Sequence, residues 1–195
     1  AGNDTQGLRY GTIETTEKYY LKWKEDSQEE YDYVIDKYLS LLCNKERVLE
    51  LIHDFVVFDK GTKKLCRPNQ FFGVKAARQR VKDREGGIIW HTQGSGKSLT
   101  MLWLTKWIRE NIEDSRVLII TDRDELDKQI EGLFIGVEEK IYRTKSGRDL
   151  ITQLNSKNKW LLCSLVHKFG RHSQLIFFRM NATGVPIQCQ KSEKL

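Results

Sequence analysis

Ile88-Ile89-Trp90-His91-Thr92-Gln93-Gly94-Ser95-Gly96-Lys97-Ser98 is the stretch on which the reading of this chain turns. The first three residues read as a short buried strand. Residues from Ser98 to Asn111 read as a helix carrying Leu99, Leu102, Trp103, Leu104 and Trp107. A tight loop with two glycines joins them. A loop that cradles phosphate needs small residues, so that backbone N–H groups can approach the oxygens. It also needs a lysine to reach the β- and γ-phosphates, a following hydroxyl to hold Mg2+, and a helix N-terminus with its positive end. Gly94 and Gly96 supply the backbone freedom, Lys97 the charge and Ser98 the hydroxyl. The strict pattern G-x-x-x-x-G-K-[ST] fails at one point, because its first glycine falls on His91. The bland alternative is a flexible surface turn that happens to carry a lysine; the strand before and the helix after argue against it.

Outward from the loop, the pattern alternates. Val117-Leu118-Ile119-Ile120 reads as a β-branched strand ending in Thr121-Asp122, and Asp124 to Leu133 as a short helix. A strand is expected near Lys140-Ile141-Tyr142, a helix over Gly147 to Asn155, and a strand over Trp160 to Leu165. Strands alternating with helices predict an α/β fold with a parallel sheet covered on both faces. Upstream, apolar residues at helical spacing between Glu29 and Leu42 predict one helix. Asn44 suits the N-cap of a second, and Pro68 suits the first turn of a third that runs to about Lys82. Phe55 to Phe58 is a short apolar run before a Lys60-Gly61 turn. Residues 1–16 read as polar and irregular, and Tyr19, Tyr20 and Trp23 as packing groups for the helices that follow. Trp103, Trp107 and Trp160 read as core.

Of the 195 residues, 39% are apolar and 31% charged, enough to build a core and to exclude wholesale disorder. Net charge is +6, unevenly placed. Residues 1–66 hold 10 Lys/Arg against 13 Asp/Glu, and residues 67–195 hold 23 against 14. The positive excess lies where a polyanion would be drawn, though a basic surface alone does not require one. The cysteines, Cys43, Cys66, Cys163 and Cys189, form no close pair, which disfavours a zinc knuckle and a C-x-x-C redox site. Reduced thiols, no signal-peptide pattern and no apolar run near 18 residues lead to the expectation of a soluble cytoplasmic protein with no membrane partner.

Gly86 to Met101 resembles the phosphate loop of the R (motor and restriction) subunits of type I restriction-modification enzymes. That family carries His-Thr-Gln ahead of Gly-Ser-Gly-Lys-Ser, which accounts for His91. Ile119 to Gln129 resembles its next helicase motif. Arg67-Pro68-Asn69-Gln70-Phe71-Phe72 resembles the upstream segment whose glutamine reads adenine in superfamily 2 helicases, and Leu161 to Phe169 the strand before an Asp-Glu box. The resemblance implies a helical junction over 1–66, following an absent nuclease domain, and an incomplete, P-loop RecA-like first lobe over 67–170 that binds ATP. It implies ATP-driven translocation of double-stranded DNA coupled to cleavage, with methylation and specificity subunits as partners. Residue by residue, it implies Lys97 at the β/γ-phosphates, Ser98 at Mg2+, and Thr92, Gln93, Gly94, Ser95 and Gly96 wrapping the phosphates. Leu99 follows in the first helical turn, and Gln70 hydrogen-bonds the adenine. Arg123 and Lys128 are candidate contacts to a DNA phosphate, although Asp122, Asp124 and Asp127 beside them offer ordinary ion pairs instead.

No Asp-Glu pair follows Phe169, and residues 171–195 contain a single acidic residue, Glu193. This stretch is expected to be a divergent or foreign tail on a truncated R subunit, with weak MgATP binding and little turnover. Two rivals remain: another class of P-loop nucleotide user, such as a kinase or GTPase-like switch, and an inactive remnant that serves only as an interaction fragment.

Overall fold

A computed structural model describes residues 2–5, 7–156 and 158–169. The tail expected over 171–195 lies outside the described residues.

The chain opens with a small antiparallel sheet of β1 (Gly2–Asn3), β2 (Gly7–Tyr10) and β3 (Leu21–Lys22). Sequence reading gave this region no strands, because its polar, glycine-spaced residues carry no alternation. Helices α1 (Val34–Leu42) and α2 (Lys45–Phe55) follow. Asn44 caps α2 as expected, its side chain accepting from the Glu46 and Arg47 N–H groups. The apolar run then forms a hairpin, β4 (Val56–Asp59) with β5 (Thr62–Leu65), turning on Lys60 and Gly61. Residues 1–66 are therefore of mixed structure rather than purely helical.

Helix α3 (Pro68–Lys82) starts on its proline. After the phosphate loop come α4 (Lys97–Asn111), β6 (Val117–Thr121), α5 (Asp124–Gly136), β7 (Tyr142–Arg143), α6 (Gly147–Asn155) and β8 (Leu161–Leu165). The sheet has the order β6-β8-β7 with both pairings parallel. All five residues of the central β8 are buried, as in a strand covered on both faces. The fold is α/β, consistent with a partial RecA-like lobe.

The expected strand at Ile88-Ile89-Trp90 does not form. These residues are in no described strand, and Ile88 and Trp90 are each 89% exposed. An apolar run becomes a strand only when a neighbour supplies ladder partners. Among the described residues none lies beside it.

One apolar core runs through the molecule, from Trp23, Phe55 and Phe71 to Trp103, Ile119 and Phe134. Trp23 is fully buried and meets Phe71 edge-on at 5.3 Å between ring centroids, a favoured aromatic geometry. The first 66 residues and the phosphate-loop region thus share their packing, and α3 stands between them.

Candidate nucleotide-binding site

The loop before α4 is shaped by two residues with left-handed backbone, Gly94 (φ 76°) and Gly96 (φ 85°). Gly96 occupies the N-cap of α4. Its carbonyl accepts from the Leu99 and Thr100 N–H groups at 3.1 and 3.2 Å. Amides in the first turn of a helix have no acceptor within it, so Lys97 and Ser98 bring their N–H groups to the mouth of the loop. Ser95 braces the turn, donating from Oγ to the Thr92 carbonyl at 2.7 Å.

Lys97 folds back over this mouth. Its Nζ donates to the carbonyls of His91 at 2.8 Å and Thr92 at 2.9 Å. The ammonium is therefore held at the loop by two neutral acceptors. An anionic oxygen arriving there would make a stronger, charge-assisted bond.

Helix α3 holds the loop from the side. Gln70 is buried, with its Oε1 accepting from the Arg67 N–H at 2.8 Å and its Nε2 donating to the Gly96 carbonyl at 2.9 Å. A side chain on Gly96 would place its Cβ 2.2 Å from Gln70 Nε2, so it would push aside the amide that holds the Gly96 carbonyl, besides straining the left-handed backbone. Arg67 Nη1 reaches the Gly94 carbonyl at 3.2 Å. The structure thus brings Gln70 to the loop residues Thr92 to Ser98. It also adds Arg67, which sequence reading did not single out; its three-residue spacing from Gln70 at the helix start was the available signal.

A cleft of about 240 Å3 opens beside Gln70, Gly96 and Leu99, walled by Tyr10, Tyr19 and Leu21 from the N-terminal sheet region. Tyr10 donates its hydroxyl to the Cys66 carbonyl at 3.0 Å, and burial pushes its phenol above the usual value, so it stays neutral. These wall residues were read as irregular or packing groups, because nothing local in sequence ties residue 10 to residue 70.

Arg123 and Lys128 do not join this cleft's lining. Arg123 lies 3.6 Å from Asp122, and Lys128 pairs with Asp124 at 2.7 Å. Both are well exposed, at the carboxyl end of β6 and on α5. Asp127 is instead a buried hub, accepting from Cys163 Sγ at 2.7 Å, Thr121 Oγ1 at 3.2 Å and Arg143 Nε. Burial alone would raise its carboxyl. The hydrogen bonds from Cys163, Arg143 and Thr121 outweigh that and hold it below the usual range. The arrangement ties β6, β7 and β8 together and is structural.

The donor set around Ser98 fits Mg2+ of one kind. Among the described residues no three His, Cys, Asp or Glu side chains converge, which is unsuited to an all-protein metal cage. A single serine hydroxyl at a phosphate loop suits an ion held chiefly by phosphates and water.

Comparison with known proteins places this geometry. A family model for the SWI2/SNF2 ATPase matches residues 69–193. The chain belongs to the SWI2/SNF2 ATPase family. The match of this SWI2/SNF2 chain takes in Gln70 and the whole phosphate loop, and runs into the stretch read above as a divergent or foreign tail. Curated relatives are type I restriction enzyme endonuclease subunits, as the resemblance stated. The putative MjaIXP subunit of Methanocaldococcus jannaschii is 33% identical over 162 residues, covering 74% of this chain and 16% of the relative. The HindI subunit of Haemophilus influenzae is 27% identical over 174 residues, covering 77% and 16%. The SauCOLORF180P subunit of Staphylococcus aureus is 24% identical over 180 residues, covering 89% and 19%. The chain therefore spans 16–19% of the length of these relatives. No helix among the described residues is long and apolar enough to cross a membrane.

Proposed function

We propose that residues 91–98 bind the triphosphate of MgATP, as part of the ATP-driven motor of a type I restriction R subunit. The observation that carries this reading is the Lys97 ammonium held over a glycine-shaped loop at the N-terminus of α4. Lys97 exchanges its two carbonyl partners for β- and γ-phosphate oxygens. Thr92, Gln93, Gly94, Ser95 and Gly96 wrap the phosphates, and Ser98 gives its hydroxyl to Mg2+. The ion supplies charge neutralisation of the phosphates when bound.

Gln70 spends one N–H on Gly96 and one lone pair on Arg67. An amide has two of each, so one N–H and one lone pair are left for the edge of an adenine in the adjoining cleft. Arg123 and Lys128 give up their carboxylate partners for a DNA phosphate. In the assembled enzyme this site powers translocation of double-stranded DNA coupled to cleavage, alongside methylation and specificity subunits. The chain is a portion of such a subunit.

Competition against a labelled ATP analogue tests the reading. Unlabelled ATP displaces the label and GTP does so poorly. Equal displacement by GTP would favour a GTPase-like switch, and no binding of any nucleotide an interaction fragment.

A further inference from the structure

We propose that His91 is a positioning residue whose ring, seated on Gly73 of α3, sets the triphosphate-binding form of the loop. The proposal rests on the reading of residues 91–98 as a triphosphate cradle. Gln70 and Gly73 lie three apart on α3, and Arg67, three residues before Gln70, is the N-cap of that helix. Arg67 and Gln70 hold the carbonyls of Gly94 and Gly96 in the second half of the loop. Gly73 meets the beginning of the loop by shape. A Cβ on residue 73 would lie 3.4 Å from Cε1 and Nε2 of the His91 ring and 3.5 Å from Cγ2 of Ile89.

Ile89 and His91 thus turn towards α3, while Ile88 and Trp90 point outward at 89% exposure. The segment touches the helix with alternate residues, as an extended chain does. His91 Nδ1 is buried with no hydrogen-bond partner among the described residues, so that edge of the ring is held by packing. A Cβ at position 73 would just touch the ring, and the branches of a larger side chain would enter the space the ring occupies. The consequence reaches the phosphate site through the main chain, because His91 directly precedes Thr92, the first of the residues that wrap the phosphates. A displaced ring frees that end of the loop, which must then be ordered when the ligand arrives.

The test is calorimetric titration of MgATP, and of inorganic tripolyphosphate, into the 195-residue chain and four variants. Gly73→Val, whose branches reach into the ring, weakens both ligands about tenfold, the cost of re-ordering roughly one residue of backbone. His91→Gly weakens them by a similar factor. The double variant is no weaker than His91→Gly, since valine then has no ring to displace. Ala76→Val, on an exposed part of the same helix, places a β-branched side chain where no ring stands beside it and leaves binding unchanged. Additive losses in the double variant, or wild-type affinity in His91→Gly, would overturn the seat while leaving the triphosphate reading intact. If Gly73→Val fails to fold, the His91→Gly titration still decides. Wild-type protein that binds neither ligand overturns the triphosphate reading, and the seat with it.

Discussion

Gln70 donates to the Gly96 carbonyl at 2.9 Å across 26 residues of chain, while accepting from the N–H of Arg67 at 2.8 Å. One amide therefore closes the start of α3 and fastens the phosphate loop to it. Replacing it with leucine removes both bonds, each worth about 0.5–1.5 kcal/mol. Urea unfolding should show a loss of that size for Gln70→Leu, and nucleotide titration a weaker affinity. Wild-type stability would contradict the double role.

Gly94 and Gly96 have similar left-handed backbones but different surroundings. Alanine at either carries about 1–2 kcal/mol of conformational strain. A Cβ at 94 meets open space, whereas one at 96 meets Gln70 Nε2 at 2.2 Å. Gly96→Ala should therefore lose far more MgATP affinity than Gly94→Ala. Equal losses in parallel titrations would show that strain alone matters.

Much of the site was legible in sequence, and the reason is local. The glycines, lysine and serine of the loop lie within a few residues of one another. The caps at Asn44 and Pro68 and the apolar runs of β6 and β8 likewise announce themselves. What was missed depends on distant partners. Ile88 to Trp90 has the composition of a strand, yet strand formation needs an adjacent backbone that these residues do not encode. The β2–β3 pairing and the Tyr10 wall of the cleft depend on distant partners: β2 packs on α1, and the Tyr10 hydroxyl bonds the Cys66 carbonyl 56 residues later.

Trp23 ties that early segment to the rest. It is fully buried, edge-on to Phe71, with the Arg47 guanidinium 5.3 Å from its ring. Trp23→Ala should destabilise by about 3–5 kcal/mol. Loss should appear in one cooperative unfolding transition, because the core is shared. Two separate transitions, with the phosphate-loop region unaffected, would contradict this.

Acid should weaken the fold. A hydrogen bond from Arg47 lowers the Glu25 carboxyl from its ordinary value of 4.5, and the bonds at Asp127 lower it from 3.8. A carboxyl depressed in the folded state contributes stability that is complete above its unfolded value and lost as pH falls through its folded value. Unfolding midpoints should thus hold from neutral pH to about 5 and decline below. Asp127→Asn should flatten that decline; an unchanged slope would remove Asp127 from the account.

Thiol reactivity should separate the described cysteines. Burial pushes Cys66 and Cys163 up to about 12, whereas Cys43 is exposed. Since the thiolate is the reactive form, iodoacetamide should label Cys43 in the native chain, and Cys66 and Cys163 only after unfolding. Peptide mapping that finds Cys66 labelled natively would show that its surroundings open.

The central claim is that Lys97 grips a triphosphate at the loop, and calorimetric titration of MgATP into wild type and Lys97→Ala tests it most directly. Wild type should bind at a single site, and Lys97→Ala about 10–100-fold more weakly, as expected for roughly 1.5–3 kcal/mol of charge-assisted bonding. Binding that is equal in the two proteins, or absent from a folded wild type, would contradict it.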